Sequence, residues 1–121
     1  MGNRDLGDRT FKFACDIAQL CGRLQERGPI VRRLSLKLLD AGTSIGANFE
    51  EGQGGQTKPD FIAKNFISLK ESRETRFWLR VIGATDPPLQ PDLEPFLRES
   101  NEFVAMLTAS LKTARSSPSR G

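Results

Sequence analysis

Pro59-Asp60-Phe61-Ile62-Ala63-Lys64-Asn65-Phe66-Ile67-Ser68-Leu69-Lys70-Glu71-Ser72-Arg73-Glu74-Thr75-Arg76-Phe77-Trp78-Leu79-Arg80-Val81-Ile82-Gly83 is the longest stretch of the chain without an internal Gly or Pro. Its apolar residues recur as a helix requires. Ile62, Phe66 and Leu69 stand four and three apart, and Phe77, Trp78, Val81 and Ile82 close the pattern with bulky side chains. The spacing predicts a helix from about Pro59 to Ile82 with that stripe turned inward. Pro59 is tolerated in a first turn, and Asp60 suits the positive end of the helix dipole. Gly83 and the turn Thr85-Asp86-Pro87-Pro88 end the segment.

Working outward, the glycine-rich Gly52-Gln53-Gly54-Gly55-Gln56 separates this helix from one before it. That second helix is predicted from about Pro29 to Glu51, with Leu34, Leu38, Ala41, Ile45 and Phe49 inward. Gly28-Pro29 separates it in turn from a first helix over about Asp8 to Gln25. There Asp8 is a plausible N-cap, and Phe13, Ile17, Leu20 and Leu24 form the stripe. On the C-terminal side a fourth helix is predicted from Pro91 or Asp92 to Thr113. Leu93, Phe96, Leu97, Phe103, Leu107 and Leu111 supply its apolar face, and Pro95 falls in its first turn or so. Ser116 to Gly121 reads as a disordered tail. No alternating strand pattern appears. Residues 1–115 are thus expected to form one all-α domain, an antiparallel up-down-up-down four-helix bundle. A chain of 121 residues can bury such a core without metal or disulfide staples.

The residue types present limit the chemistry. There is no histidine, so Ser–His and Cys–His nucleophiles, histidine zinc sites and the Glu-x-x-His di-iron pattern are all unavailable. Cys15 and Cys21 lie six apart in one predicted helix, about 9 Å along the axis and on diverging faces, so they are read as two reduced thiols in a cytoplasmic protein. No apolar run approaches a membrane span, and no secretory signal is visible. No cofactor and no enzymatic activity are expected.

One acidic constellation stays open. Glu71-x-x-Glu74 and Glu99-x-x-Glu102 each place two carboxylates on one helix face, and together they can hold Mg²⁺ over a phosphate. The favoured account pairs Glu71 and Glu74 with Lys70, Arg73, Arg76 and Arg80 as surface ion pairs, and leaves Glu99 and Glu102 beside Arg98 on a solvated face. The loop Gly52 to Lys58 has glycines and a lysine but lacks Walker order and a preceding strand, so it is read as a linker.

Two other features concern partners. Gly42 and Gly46 share a helix face, although glycine inside a helix costs about 1 kcal/mol relative to alanine. They are expected to admit another backbone closely. Ser44, Asn48 and Glu51 form a polar stripe beside them. It either cross-links helices by hydrogen bonds or faces water, and the residues alone leave both open. The net charge is +3. Arg23, Arg27, Arg32, Arg33 and Lys37 cluster around the first inter-helix turn. With Lys112, Arg115 and Arg120 they are expected to form a phosphate-binding surface.

Four segments in this order resemble a known family. They are Thr10-Phe11-Lys12-Phe13-Ala14, Thr43-Ser44-Ile45-Gly46-Ala47-Asn48-Phe49-Glu50-Glu51-Gly52, Asp60-Phe61-Ile62, and Lys70-Glu71-Ser72-Arg73-Glu74-Thr75-Arg76-Phe77-Trp78-Leu79. Over roughly residues 8–112 the chain resembles the bacterial four-helix bundle proteins, also called the 23S rRNA intervening-sequence proteins. Phe77-Trp78 stands where Tyr-Trp is commoner. The resemblance implies a homopentameric ring around a central channel and no catalytic residues. It also implies kinship with the accessory proteins of diversity-generating retroelements, which bind nucleic acid and a reverse transcriptase. Ser44, Asn48, Glu51, Glu71 and Glu74 match motif positions and, with Gly42, Gly46 and Trp78, are assigned to bundle and subunit packing. The expected function is a non-enzymatic, ring-forming protein that binds RNA or DNA. The alternatives are an adaptor for a partner protein and, less favoured, a magnesium-dependent nucleotide phosphohydrolase.

Overall fold

In the computed structural model the described residues are 3–54 and 57–116, with the backbone alone at 3 and 4. Four α-helices, α1 (Asn3–Leu24), α2 (Pro29–Gln53), α3 (Lys58–Thr85) and α4 (Gln90–Ser116), account for nearly all of them. A short 3-10 turn, Pro87–Leu89, leads into α4, and no strand occurs among the described residues. None of these helices is long and apolar enough to cross a membrane.

The helix limits follow local chemistry. Gly28 takes a positive φ of 122°, and Pro29 then opens α2. Thr57 caps α3, its hydroxyl accepting from the Asp60 amide at 3.3 Å. Several predicted limits shift, and α2 runs through Gly52 to Gln53. Asp8 does not cap α1, which begins five residues earlier because Leu6 is buried and prolongs its stripe. Gly83 does not end α3. It is a buried residue within the last turn, where an added Cβ would stand 3.3 Å from the Gln90 side chain. Pro95 lies inside α4, in its second turn. Ser116, placed with the tail by sequence, is the last residue of α4, and 117–121 lie outside the described residues.

Buried positions alternate at spacings of four and three, the signature of helices meeting along a shallow crossing. On α1 they are Leu6, Thr10, Phe13, Ile17, Leu20 and Leu24. On α2 they are Val31, Ser35, Leu38, Gly42, Ile45, Phe49 and Gly52. On α3 the same rhythm picks out Asn65, Ser68, Ser72, Thr75, Leu79 and Ile82. This corrects the expected α3 stripe. Phe66 and Phe77 are about half exposed, and the inward face in their place is largely hydroxyls and an amide.

Small side chains there let α3 approach α2, the most extensive interface in the molecule. Ser68 Oγ donates across it to the Ile45 carbonyl at 2.8 Å. Ser72 and Thr75 return their hydroxyls to their own helix, on Ser68 O and Glu71 O. Asn65 is fully buried. Its amide donates to Phe61 O at 2.7 Å, while Oδ1 has no protein partner among the described residues. Gly52 makes room for it, since a Cβ there would meet Asn65 Nδ2 at 2.8 Å.

The α1–α2 seam closes on the other two glycines. A Cβ at Gly42 would stand 2.9 Å from Ile17 Cγ2, and one at Gly46 would stand 3.2 Å from the Thr10 carbonyl carbon. At the far end of this seam Cys21 is buried and its thiol donates to Ser35 O. Burial pushes that thiol up to about 11, so it stays protonated at neutral pH. Helices α1 and α4 meet mainly through side chains. Phe13 stands edge-on to Phe96 and Phe103, and Arg9 makes a two-pronged contact with Glu99 at 2.6 and 3.0 Å.

Candidate nucleic-acid interface

Eight basic residues were assigned to one surface by sequence, and the structure divides those it describes into two groups. Arg23, Arg27, Arg32, Arg33 and Lys37 lie on the end of α1, the turn after it, and the beginning of α2. All five are exposed. Arg27 is engaged by Asp86, with two hydrogen bonds of 2.9 Å. The other four have no ion pair among the described residues. Their neighbours on α2 include two exposed apolar residues, Ile30 and Leu36.

Lys112 and Arg115 belong elsewhere. They line a groove between α3 and α4 of about 500 Å³, together with Phe66, Leu69, Arg73, Thr108, Leu111 and Ser116. The hydrogen bond from Ser68 to Ile45 sets this part of α3 level with the middle of α2. Arg33 is about 18 Å further along the α2 axis, at 1.5 Å per residue. The single surface expected from the sequence is therefore two patches. Arg120 lies outside the described residues.

The groove is built by two helix faces. Phe66, Leu69 and Arg73 stand three and four apart on α3, and Thr108, Leu111, Lys112 and Arg115 follow the same rhythm on α4. Leu69 and Leu111 are buried and form the floor. The Arg115 guanidinium lies over the Phe66 ring, 5.6 Å from its centroid. Among the described residues three cations and no carboxylate line the groove. Sequence reasoning missed two members. Phe66 was read as core because it is bulky, and Arg73 as the ion-pair partner of a glutamate. The available signal was the face opposite the four-three seam, where the two fall seven residues apart.

The two glutamate pairs do not converge. Glu99 is held by Arg9, and Glu102 lies 3.9 Å from the same guanidinium. Glu71 faces Glu74 and Asp40. Burial, and then a hydrogen bond with Glu74, raise the Glu71 carboxyl above its ordinary range. No ion pair joins Glu71 or Glu74 to Lys70, Arg73, Arg76 or Arg80 among the described residues. The two glutamate pairs thus turn to different neighbours. Among the described residues no group of three or more His, Cys, Asp or Glu side chains is placed to hold a metal ion.

The predicted polar stripe on α2 turns largely to its own helix. Ser44 Oγ donates to Asp40 O at 2.6 Å, and Asn48 Nδ2 donates to Ser44 O at 2.9 Å. Glu51 alone reaches across, to Lys64 Nζ at 2.7 Å. Trp78 is half-buried against the core, its ring edge-on to Phe77 at 5.0 Å.

A model of the 23S rRNA-intervening sequence protein family matches residues 5–109. The chain belongs to that family. Its fold is similar to the crystal structure of a protein with unknown function from the S23 ribosomal protein family of Bacteroides thetaiotaomicron VPI-5482. The two share 32% sequence identity over 93% of this chain and 99% of that one, with a TM-score of 0.84. No curated protein matches the sequence. Two of the family-like segments meet in the α1–α2 seam, where a Cβ at Gly46 would stand 3.1 Å from Thr10 Oγ1.

Proposed function

We propose that the protein is a non-catalytic interaction protein of the cytoplasm, a homopentameric ring of antiparallel up-down-up-down bundles that binds RNA or DNA through its exposed cations. The observation that carries the nucleic-acid part is the set Arg23, Arg32, Arg33 and Lys37, exposed and without carboxylate partners among the described residues. Cations left in this state exchange condensed counterions of a polyanion for themselves, and the released ions drive binding. The antiparallel order is supported by paired contacts that run in opposite senses: Thr10 with Gly46 and Ile17 with Gly42, then Ile45 with Ser68 and Gly52 with Asn65. The ring rests on family membership, with exposed Phe11 and Phe77 available for contacts between copies. Two free cysteines suit a reducing compartment.

A second reading, an adaptor for a partner protein, is favoured by one observation. Ile30 and Leu36 are exposed among the α2 cations, and apolar side chains of that kind suit a protein surface better than a phosphate backbone. Light scattering with and without nuclease, followed by binding to an rRNA fragment across a salt series, tests the first reading. The expected result is the mass of five chains and an affinity that falls steeply with salt. A monomer would remove the ring, and no retention of RNA or DNA at low salt would remove the nucleic-acid function.

A further inference from the structure

We infer that the α3–α4 groove is a stacking site for single-stranded nucleic acid, in which an unpaired base lies against the Phe66–Arg115 platform while Arg73 and Lys112 hold the flanking phosphates. The inference rests on the nucleic-acid reading above and names the strand form and the residues that reading leaves open.

Three observations carry it. Phe66 stays 48% exposed although a guanidinium covers part of it, so an aromatic face is open to a ligand at the rim of a concave site. The guanidinium above it is itself planar, and bases stack on arginine planes as well as on aromatic rings. Among the described residues the charge around the platform is all of one sign: Arg73 reaches in from α3 and Lys112 from α4, no carboxylate lines the groove, and none of the three cations has an ion pair.

Shape separates the strand forms. The site is a cleft between two helices of about 500 Å³. A duplex keeps its bases stacked inside and offers phosphates alone, which would leave Phe66 unused. An unpaired strand can turn a base into the cleft and keep its phosphates at the rim. A polyglutamate peptide would satisfy the cations but has no ring to stack on the platform.

The test is fluorescence anisotropy with three probes: a short labelled oligo(U) strand, a duplex of the same length, and a polyglutamate peptide. Phe66→Ala is expected to weaken oligo(U) about tenfold or more, the usual effect of losing one stacked base, and to leave duplex binding unchanged. Phe66→Trp should restore the strand. Lys112→Ala should weaken oligo(U) and flatten its salt dependence by about 0.7 in log–log slope, one phosphate contact on a single strand. Oligo(U) binding that ignores Phe66→Ala and Lys112→Ala but is lost in Arg32→Ala/Arg33→Ala overturns the groove and keeps the nucleic-acid function. Polyglutamate binding as tight as oligo(U) and equally dependent on Phe66 overturns the strand as occupant. If the unmodified protein holds neither strand nor duplex at low salt, the broader reading fails as well. Phe66 is a rim residue, so its replacement leaves the core intact, and an unchanged circular dichroism spectrum checks this.

Discussion

The grooves between α1 and α2 and between α3 and α4 differ in almost everything except being made by a pair of helices. The one between α1 and α2, about 630 Å³, is lined by Gly7, Thr10, Ala14, Gly46 and Ala47, with Phe49 at its base and Phe11 at its rim. Its charges among the described residues are Asp8 and Glu50. The one between α3 and α4 carries Arg73, Lys112 and Arg115 around an exposed phenylalanine. The first has small side chains, glycine and alanine, along much of its lining, and its sign repels phosphate. The second is lined by long cationic side chains. Helix pairing creates a groove in either case, and side-chain length and charge decide what it can receive.

The sharpest way to separate the grooves is to remove a phenylalanine from each. Phe49 is 1% exposed, so Phe49→Ala opens a cavity in the core and is expected to cost about 3–5 kcal/mol in urea unfolding. Phe66→Ala should cost less than about 1 kcal/mol by the same measurement, because water already reaches the ring. Equal costs would mean that Phe66 belongs to the core and is no platform. Filling the α1–α2 groove is the next effect in size. Gly46→Leu must push the Thr10 backbone away, and overpacking of this kind costs about 1–3 kcal/mol. An unchanged urea midpoint would show that the seam can open there.

The smallest effect concerns the acidic edge of the α2–α3 interface. The Glu71 carboxyl is raised, so the folded state binds its proton more tightly than the unfolded chain does. Its charge therefore weakens the fold above the raised pKa, and the penalty fades as pH falls through it. Glu71→Gln is expected to raise the urea midpoint slightly at neutral pH and to leave it unchanged well into the acid range. A loss of stability at neutral pH would contradict that sign.

Sequence patterning revealed the helices and hid part of what they face. Proline and glycine punctuation marked the start of α2 well because Gly28 and Pro29 act through the backbone, which local sequence controls, whereas Gly52 lies inside the helix and Gly54 caps it. The start of α1 was obscured because Asp8 has the chemistry of a cap, and only burial of Leu6 shows that the helix has begun before it. The inward face of α3 was misread for a physical reason. Bulk was taken as the mark of burial, yet a helix that must approach a neighbour closely buries Ser68, Ser72 and Thr75 and leaves Phe66 and Phe77 outside. The basic residues were legible one by one. Their division into two patches was not, because it depends on which part of α4 lies beside which part of α3.

The α2–α3 seam has a consequence for how this fold responds to temperature. The heat capacity gained on unfolding rises with the apolar surface exposed and falls with the polar surface. A central interface lined by Asn65, Ser68, Ser72 and Thr75 exposes less of the first and more of the second than a leucine seam of equal length. The stability curve of this chain should therefore be flatter than that of a leucine-seamed bundle of its size. It would change less on cooling and heating around its maximum, a difference that scanning calorimetry would record.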